Sequence, residues 1–300
     1  MKVVRTPEDR FENLPDYNFP GNYVEVEKGL RLHYLDEGDK EKPTVLLLHG
    51  EPSWSYLYRK MIPVLSKDFR VIAPDLIGFG KSDKPIHQQD YSYQKHMDWI
   101  STFIQKLDLK DMVLFCQDWG GLIGLRLITE MEDLFAMVIA SNTTLPTGKT
   151  PMPESFLKWR AYSQHSPGFN IGKVIEMGTL QPLTEEVMAV YNAPFPSEEY
   201  KAGARIFPML VPIDHDDPEA VKNRQAWEKL RQWDKPFLTI FGDGDDIMKG
   251  AEQVFQNLVP GAKGQNHTLL NAGHFIQEEK GEELAELLVV FYRSNTTDIN

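Results

Sequence analysis

The chain reads as an α/β protein built on a mostly parallel, doubly wound sheet, with a helical cap inserted in its second half. Three observations predict this. Short unbroken apolar runs recur, helical stretches alternate with them, and the segment from residue 146 to 228 breaks the alternation. Strands covered on both faces need apolar residues on both faces, so they read as continuous runs. Runs alternating with helices are the pattern of parallel strands joined by helical crossovers.

The elements follow in order. Tyr23 to Glu37 reads as two short strands turning near Lys28-Gly29, an antiparallel edge hairpin. Thr44 to Leu48 is the first continuous apolar run, flanked by turn residues. Val71 to Ala73, Met112 to Phe115, Met137 to Ala140 and Phe237 to Ile240 repeat it. Tyr93 to Leu107 and Leu122 to Glu130 read as helices between them. From about Pro146 to Trp227 there are prolines, aromatic residues and short amphipathic pieces, but no strand pattern. The expected division is therefore a first part of the core over 1–145, a helical cap over 146–228, and the rest of the core over 229–300. Ligands of open α/β sheets bind beyond the carboxyl ends of the strands, and the cap is expected to cover that end.

Composition narrows the function classes. With 300 residues, 41% of them hydrophobic, the chain can bury a large core. The net charge is −12 and no Lys/Arg-rich run occurs, which argues against nucleic acid or an anionic membrane as partner. One cysteine, Cys116, cannot form an internal disulfide and fits a reducing compartment. Met1 to Asp9 is charged and has no apolar core of a secretory signal, and no apolar run approaches the ~18 residues of a membrane span. A cytoplasmic protein is the expectation. Asn142-Thr143-Thr144, Asn266-His267-Thr268 and Asn295-Thr296-Thr297 match the glycosylation acceptor pattern and read as chance matches in such a chain.

The chemistry sits in four short segments. Cys116-Gln117-Asp118-Trp119-Gly120-Gly121 follows an apolar run and opens a helix. That is the context of a nucleophile elbow, a sharp strand-to-helix turn that lifts one side chain above the sheet, with the glycines leaving room for the turn. The exposed residue is Asp118, although an Asp at a helix start also serves as an N-cap. His49-Gly50-Glu51-Pro52 follows the first parallel strand, where a backbone N–H can join that of Trp119 in an oxyanion hole. Asn271-Ala272-Gly273-His274-Phe275, near the C-terminus, places His274 as general base. Gly242-Asp243-Gly244-Asp245-Asp246 follows the last long run and supplies the acid, with Asp245 the choice and Asp246 the runner-up. This acidic turn lacks a full calcium-loop pattern, so no metal is expected.

These segments, taken in order and spacing, resemble the haloalkane dehalogenases of the α/β-hydrolase superfamily. His49 to Met61 is similar to their oxyanion segment, Pro74-Asp75-Leu76-Ile77-Gly78-Phe79-Gly80 to their glycine-rich turn, and Gln117 to Gly121 and Ala272 to Phe275 to their catalytic motifs. Ala193-Pro194-Phe195-Pro196 and Tyr200 to Pro208 in the cap also resemble the family. The likeness runs across most of the chain and implies a cofactor-free enzyme acting on small haloalkanes with water, releasing halide. Asp118 would be the nucleophile, His274 the base and Asp245 its partner. The resemblance further implies that Trp119 binds the departing halide. One branch of the family adds a second tryptophan from the cap, while another uses Asn where this chain has Glu51. Glu51 thus points to the two-tryptophan branch, with Trp159 as the cap donor and Trp227 as substitute.

Two other readings stay open on the residues alone. An epoxide hydrolase shares the Asp nucleophile and needs cap tyrosines to protonate the opening oxygen, and Tyr162, Tyr191 and Tyr200 lie in the cap segment. A non-catalytic binding protein of the same fold need not keep nucleophile, acid and base together.

Overall fold

The structure is a computed structural model and describes residues 1–296. Thr297, the last residue of the third glycosylation-pattern match, lies outside the described residues, as does the end of the segment expected to complete the core.

Eight strands form one sheet: β1 (Gly21–Glu27), β2 (Leu30–Glu37), β3 (Thr44–Leu48), β4 (Arg70–Pro74), β5 (Met112–Gln117), β6 (Phe135–Ser141), β7 (Phe237–Gly242) and β8 (Thr268–Leu270). Their spatial order is β8-β7-β6-β5-β3-β4-β2-β1. From β4 to β8 every neighbouring pair is parallel, while β2 pairs antiparallel with both β1 and β4. The apolar runs account for the parallel part: Val45 to Leu48 and Met112 to Cys116 are wholly buried, as strands covered by helices on both faces must be. The hairpin between β1 and β2 turns at Lys28-Gly29, where Gly29 adopts φ +77°. A two-stranded ribbon joining Val3–Val4 to Lys84–Pro85 was not expected from the sequence; two residues per strand leave no readable period.

Helices α1 (Tyr93–Lys106) and α2 (Trp119–Glu130) cross between strands. Ser92 caps α1 by accepting from the Lys95 N–H. In α2 every residue from Trp119 to Thr129 is buried, so the helix is enclosed between the sheet and its neighbours rather than amphipathic. Between β6 and β7 the chain forms α3 (Glu154–His165), α4 (Ile171–Met177), α5 (Glu185–Asn192), α6 (Ala202–Leu210) and α7 (Pro218–Leu230), with no strand of the sheet among them. Asn170, Thr184 and Asp217 accept backbone N–H groups at the starts of α4, α5 and α7, which explains where those helices begin. The chain closes with α8 (Ala251–Leu258) and α9 (Ile276–Thr296). Among the described residues no helix is long and apolar enough to cross a membrane.

Candidate active site

Asp118, His274 and Asp245 are far apart in sequence but meet beyond the carboxyl ends of β5, β7 and β8. Asp118 follows β5 with φ +50° and ψ −123°, a strained backbone that L-residues adopt only when the surroundings impose it. Two neighbours make room for the turn. A Cβ on Gly120 would collide with the Leu48 carbonyl, and one on Gly50 would collide with the Asp118 side chain. The N-cap role is excluded, because the Asp118 side chain bonds no N–H of α2. Its Oδ1 instead accepts the Glu51 N–H at 2.7 Å. The Trp119 N–H, the second expected oxyanion donor, finds no acceptor among the described residues. It remains free for charge developing at that carboxylate.

His274 donates from Nδ1 to Asp245 Oδ2 at 2.7 Å, and its Nε2 lies 3.5 Å from Asp118 Oδ2. Burial disfavours the imidazolium. Asp245 first and Asp118 second outweigh burial and hold His274 at about 10. Asp245 is pushed up by its own burial, but the imidazolium and the hydrogen bonds to its carboxylate bring it down to about 2. Asp246 is exposed, and its carbonyl, not its carboxylate, is engaged by Ser155. The carboxylate of this turn that reaches the imidazole is therefore that of Asp245. Glu51 is buried beside Asp118, and burial, reinforced by the Asp118 charge, holds its carboxyl well above the usual carboxylate range.

Three supports were not singled out from the sequence. Asn142 donates to Asp245 Oδ2 at 2.9 Å, accepts the Gly242 N–H, and offers its own carbonyl to the Asp118 N–H. It thus ties the elbow to the acid. It is wholly buried, which excludes Asn142 as an accessible glycosylation acceptor. His49 donates from Nδ1 to the Gly50 carbonyl and accepts the Leu76 N–H at Nε2, holding the loop that carries Glu51. Gln117 bonds His274 with its amide nitrogen. Gln117 and His49 had a sequence signal, their places in the motifs around Asp118 and Glu51; Asn142 had none.

A cavity of about 360 Å³ opens above these three residues, lined from the sheet side by Glu51, Asp118, Trp119 and His274 and from the inserted segment by Phe156, Trp159, Val174 and Val211. Its walls are mostly apolar, with few polar groups converging on the Asp118 carboxylate.

The chain is similar to known proteins over nearly its whole length. A family model for the alpha/beta hydrolase fold matches residues 43–281. A haloalkane dehalogenase from Psychrobacter cryohalolentis is 54% identical over 98% of this chain and 99% of its own length. One from Mycolicibacterium paratuberculosis is 49% identical over 96% of this chain and 98% of its own. The solved structure of the haloalkane dehalogenase DpaA from Paraglaciecola agarilytica superposes with a TM-score of 0.89 at 38% identity, covering 95% of this chain and 97% of that one.

The chain belongs to the haloalkane dehalogenase family.

A haloalkane dehalogenase must cut a bond between saturated carbon and halogen, and the remaining wall of the cavity bears on that task. Trp119 is 2% exposed, packed edge-on against Tyr93 and Phe207, and its indole N–H has no acceptor among the described residues. Trp159 also faces the cavity, is partly buried, and stacks on Tyr162 and Phe169. Trp227 is placed otherwise: its N–H donates to the Leu145 carbonyl at 2.9 Å, and it does not line this cavity. The tyrosines of residues 146–228 that an epoxide-opening site would need are not assembled. Tyr162 alone lines the cavity, Tyr191 gives its hydroxyl to Glu278, and Tyr200 lies elsewhere.

Proposed function

We propose that this dehalogenase works in two covalent steps on short haloalkanes, with Asp118 as nucleophile, His274 as base and Asp245 as its partner. The observation that carries the reading is the triad itself: a carboxylate held by the Glu51 N–H at 2.7 Å, an imidazole whose Nε2 faces it, and an acid on the far ring nitrogen. A carboxylate is ionised at neutral pH and needs no activation. In-line attack by Asp118 displaces halide and leaves an alkyl ester. A hydroxyl nucleophile would give an ether, which water does not readily cleave. His274 then takes a proton from water, the hydroxide adds to the ester carbonyl, and the oxyanion forms on Asp118 beside the Glu51 and Trp119 N–H groups. Collapse of that intermediate releases the alcohol and restores the carboxylate. Asp245 holds the imidazole and stabilises its charge.

Halide leaves into donors that bring no water, the Trp119 and Trp159 indoles. On this reading the chain falls in the two-tryptophan branch of its family. The helices of residues 146–228 act as a cap that closes the cavity, and its volume of about 360 Å³ suits small substrates. No cofactor takes part in this scheme. Halide release from 1,2-dibromoethane, measured beside hydrolysis of styrene oxide, tests the reading. Bromide release with negligible diol formation is expected; preferential hydrolysis of the epoxide overturns it.

A further inference from the structure

We infer that Gln117 is a positioning residue that biases His274 toward its neutral, basic form by donating an amide N–H to the imidazole Nε2. This rests on His274 being the base of ester hydrolysis. Gln117 is the last residue of β5 and is wholly buried. Its amide nitrogen lies 3.0 Å from His274 Nε2 and 3.1 Å from the His274 carbonyl oxygen.

The second contact fixes which way the amide points. A carbonyl accepts only from a donor, so the nitrogen must face it; the reversed amide would set two oxygens against each other. The two amide hydrogens are then committed, one to the His274 carbonyl and one to Nε2. A hydrogen aimed at Nε2 requires a lone pair there, which places the ring proton on Nδ1, facing Asp245. That tautomer is the one able to accept a proton from water. The imidazolium carries a hydrogen on Nε2 that would point at the amide hydrogen. The contact therefore favours neutral His274 over its protonated form. The amide is placed for its nitrogen, since Gln117 Oε1 is buried with no partner.

The charged groups around the ring act in the other direction or stand further off. Asp245, after β7, and Asp118, on the elbow, stabilise the imidazolium. Glu51 stands beside Asp118, Glu279 binds the Gly273 N–H at the start of the His274 loop, and Lys158 of α3 lines the cavity. When Asp118 is alkylated its charge vanishes, because an ester is neutral. Asp245 then faces the opposing amide alone, and His274 is released as a base only at the stage that needs one. As the water engages, its O–H takes over the lone pair that the amide had held.

The test reads His274 directly. In protein with ¹⁵N-labelled histidine, the His274 resonance is identified by its loss in His274→Gln, and its titration is followed in an Asp118→Ala background that removes the carboxylate. Adding Gln117→Met should raise the His274 pKa by roughly half to one unit, the worth of one neutral hydrogen bond. Gln117→Leu should do the same. In enzyme with Asp118 intact, the acid limb of ester hydrolysis should move up by a similar amount. An unshifted or lowered His274 pKa in both folded variants overturns the inference. Full steady-state activity of His274→Gln would instead remove the base reading, and the titration would still score the Gln117 contact.

Discussion

Replacing Trp119 by Phe tests the halide site most sharply. The indole sits between two rings, Tyr93 at 5.0 Å and Phe207 at 4.6 Å between centroids, so a phenyl ring keeps most of that packing. What is lost is one N–H with no acceptor among the described residues, and so one donor to the leaving halogen. Charge on the halogen grows toward the transition state, so the donor contributes more there than in the ground state. A hydrogen bond to a charged group is worth roughly 1.5–3 kcal/mol, which corresponds to about one to two decades in rate. The loss should appear in the alkylation burst measured by stopped flow after rapid mixing with a bromoalkane. Hydrolysis of the preformed ester should be little affected, because the halide has already left. Halide affinity, read from saturable quenching of tryptophan fluorescence by bromide or iodide, should fall with it. An alkylation rate within about twofold of the wild type, with halide affinity preserved, would refute the assignment.

Other outcomes follow from the same geometry. Trp159→Phe should lose alkylation rate in the same step but nearer the lower end, since this ring is only partly buried; no effect on rate or halide affinity would remove it from the site. Asp118→Ala should abolish multiple turnover while the circular dichroism and melting curve stay near those of the wild type, because its side chain serves chemistry rather than capping. The Asp245–His274 pair also sets a pH dependence of stability. His274 is raised from 6.5 to about 10, so its stabilisation is complete below pH 6.5 and is lost as pH rises toward 10. Asp245 is lowered from 3.8 to about 2, so its stabilisation is present above pH 3.8 and is lost as pH falls toward 2. These are two views of one ion pair. Asp245→Asn should therefore flatten the decline in melting temperature between pH 6.5 and 10; an equally steep decline in the variant would contradict it.

Much of the site could be read from the chain because its parts obey local rules. The runs at Thr44–Leu48, Met112–Gln117 and Phe237–Gly242 are apolar on both faces, and each is followed by a turn that carries a residue of the proposed site: Glu51, Asp118 and Asp245. The turn at Gly242–Asp246 offered three carboxylates, and only the folded geometry selects Asp245, which reaches the imidazole while Asp246 faces solvent. Trp227 and Trp159 were both eligible indoles by composition. The difference between them is where the Leu145 carbonyl lies, and that depends on packing across 82 residues. Asn142 carried no signal for the same reason: its partners, Gly242 and Asp245, are about a hundred residues away. The ribbon at Val3–Val4 and the three residues of β8 were too short to show a period, although His274 follows the latter closely.

The central claim is that Asp118 is alkylated and that His274 serves only the second step. It is tested most directly by mass spectrometry of His274→Gln after exposure to 1,2-dibromoethane. The account predicts one equivalent of bromide released and a stable bromoethyl adduct on the peptide containing Asp118. Continued alcohol formation with Asp118 unmodified, or an adduct on another residue, would contradict it.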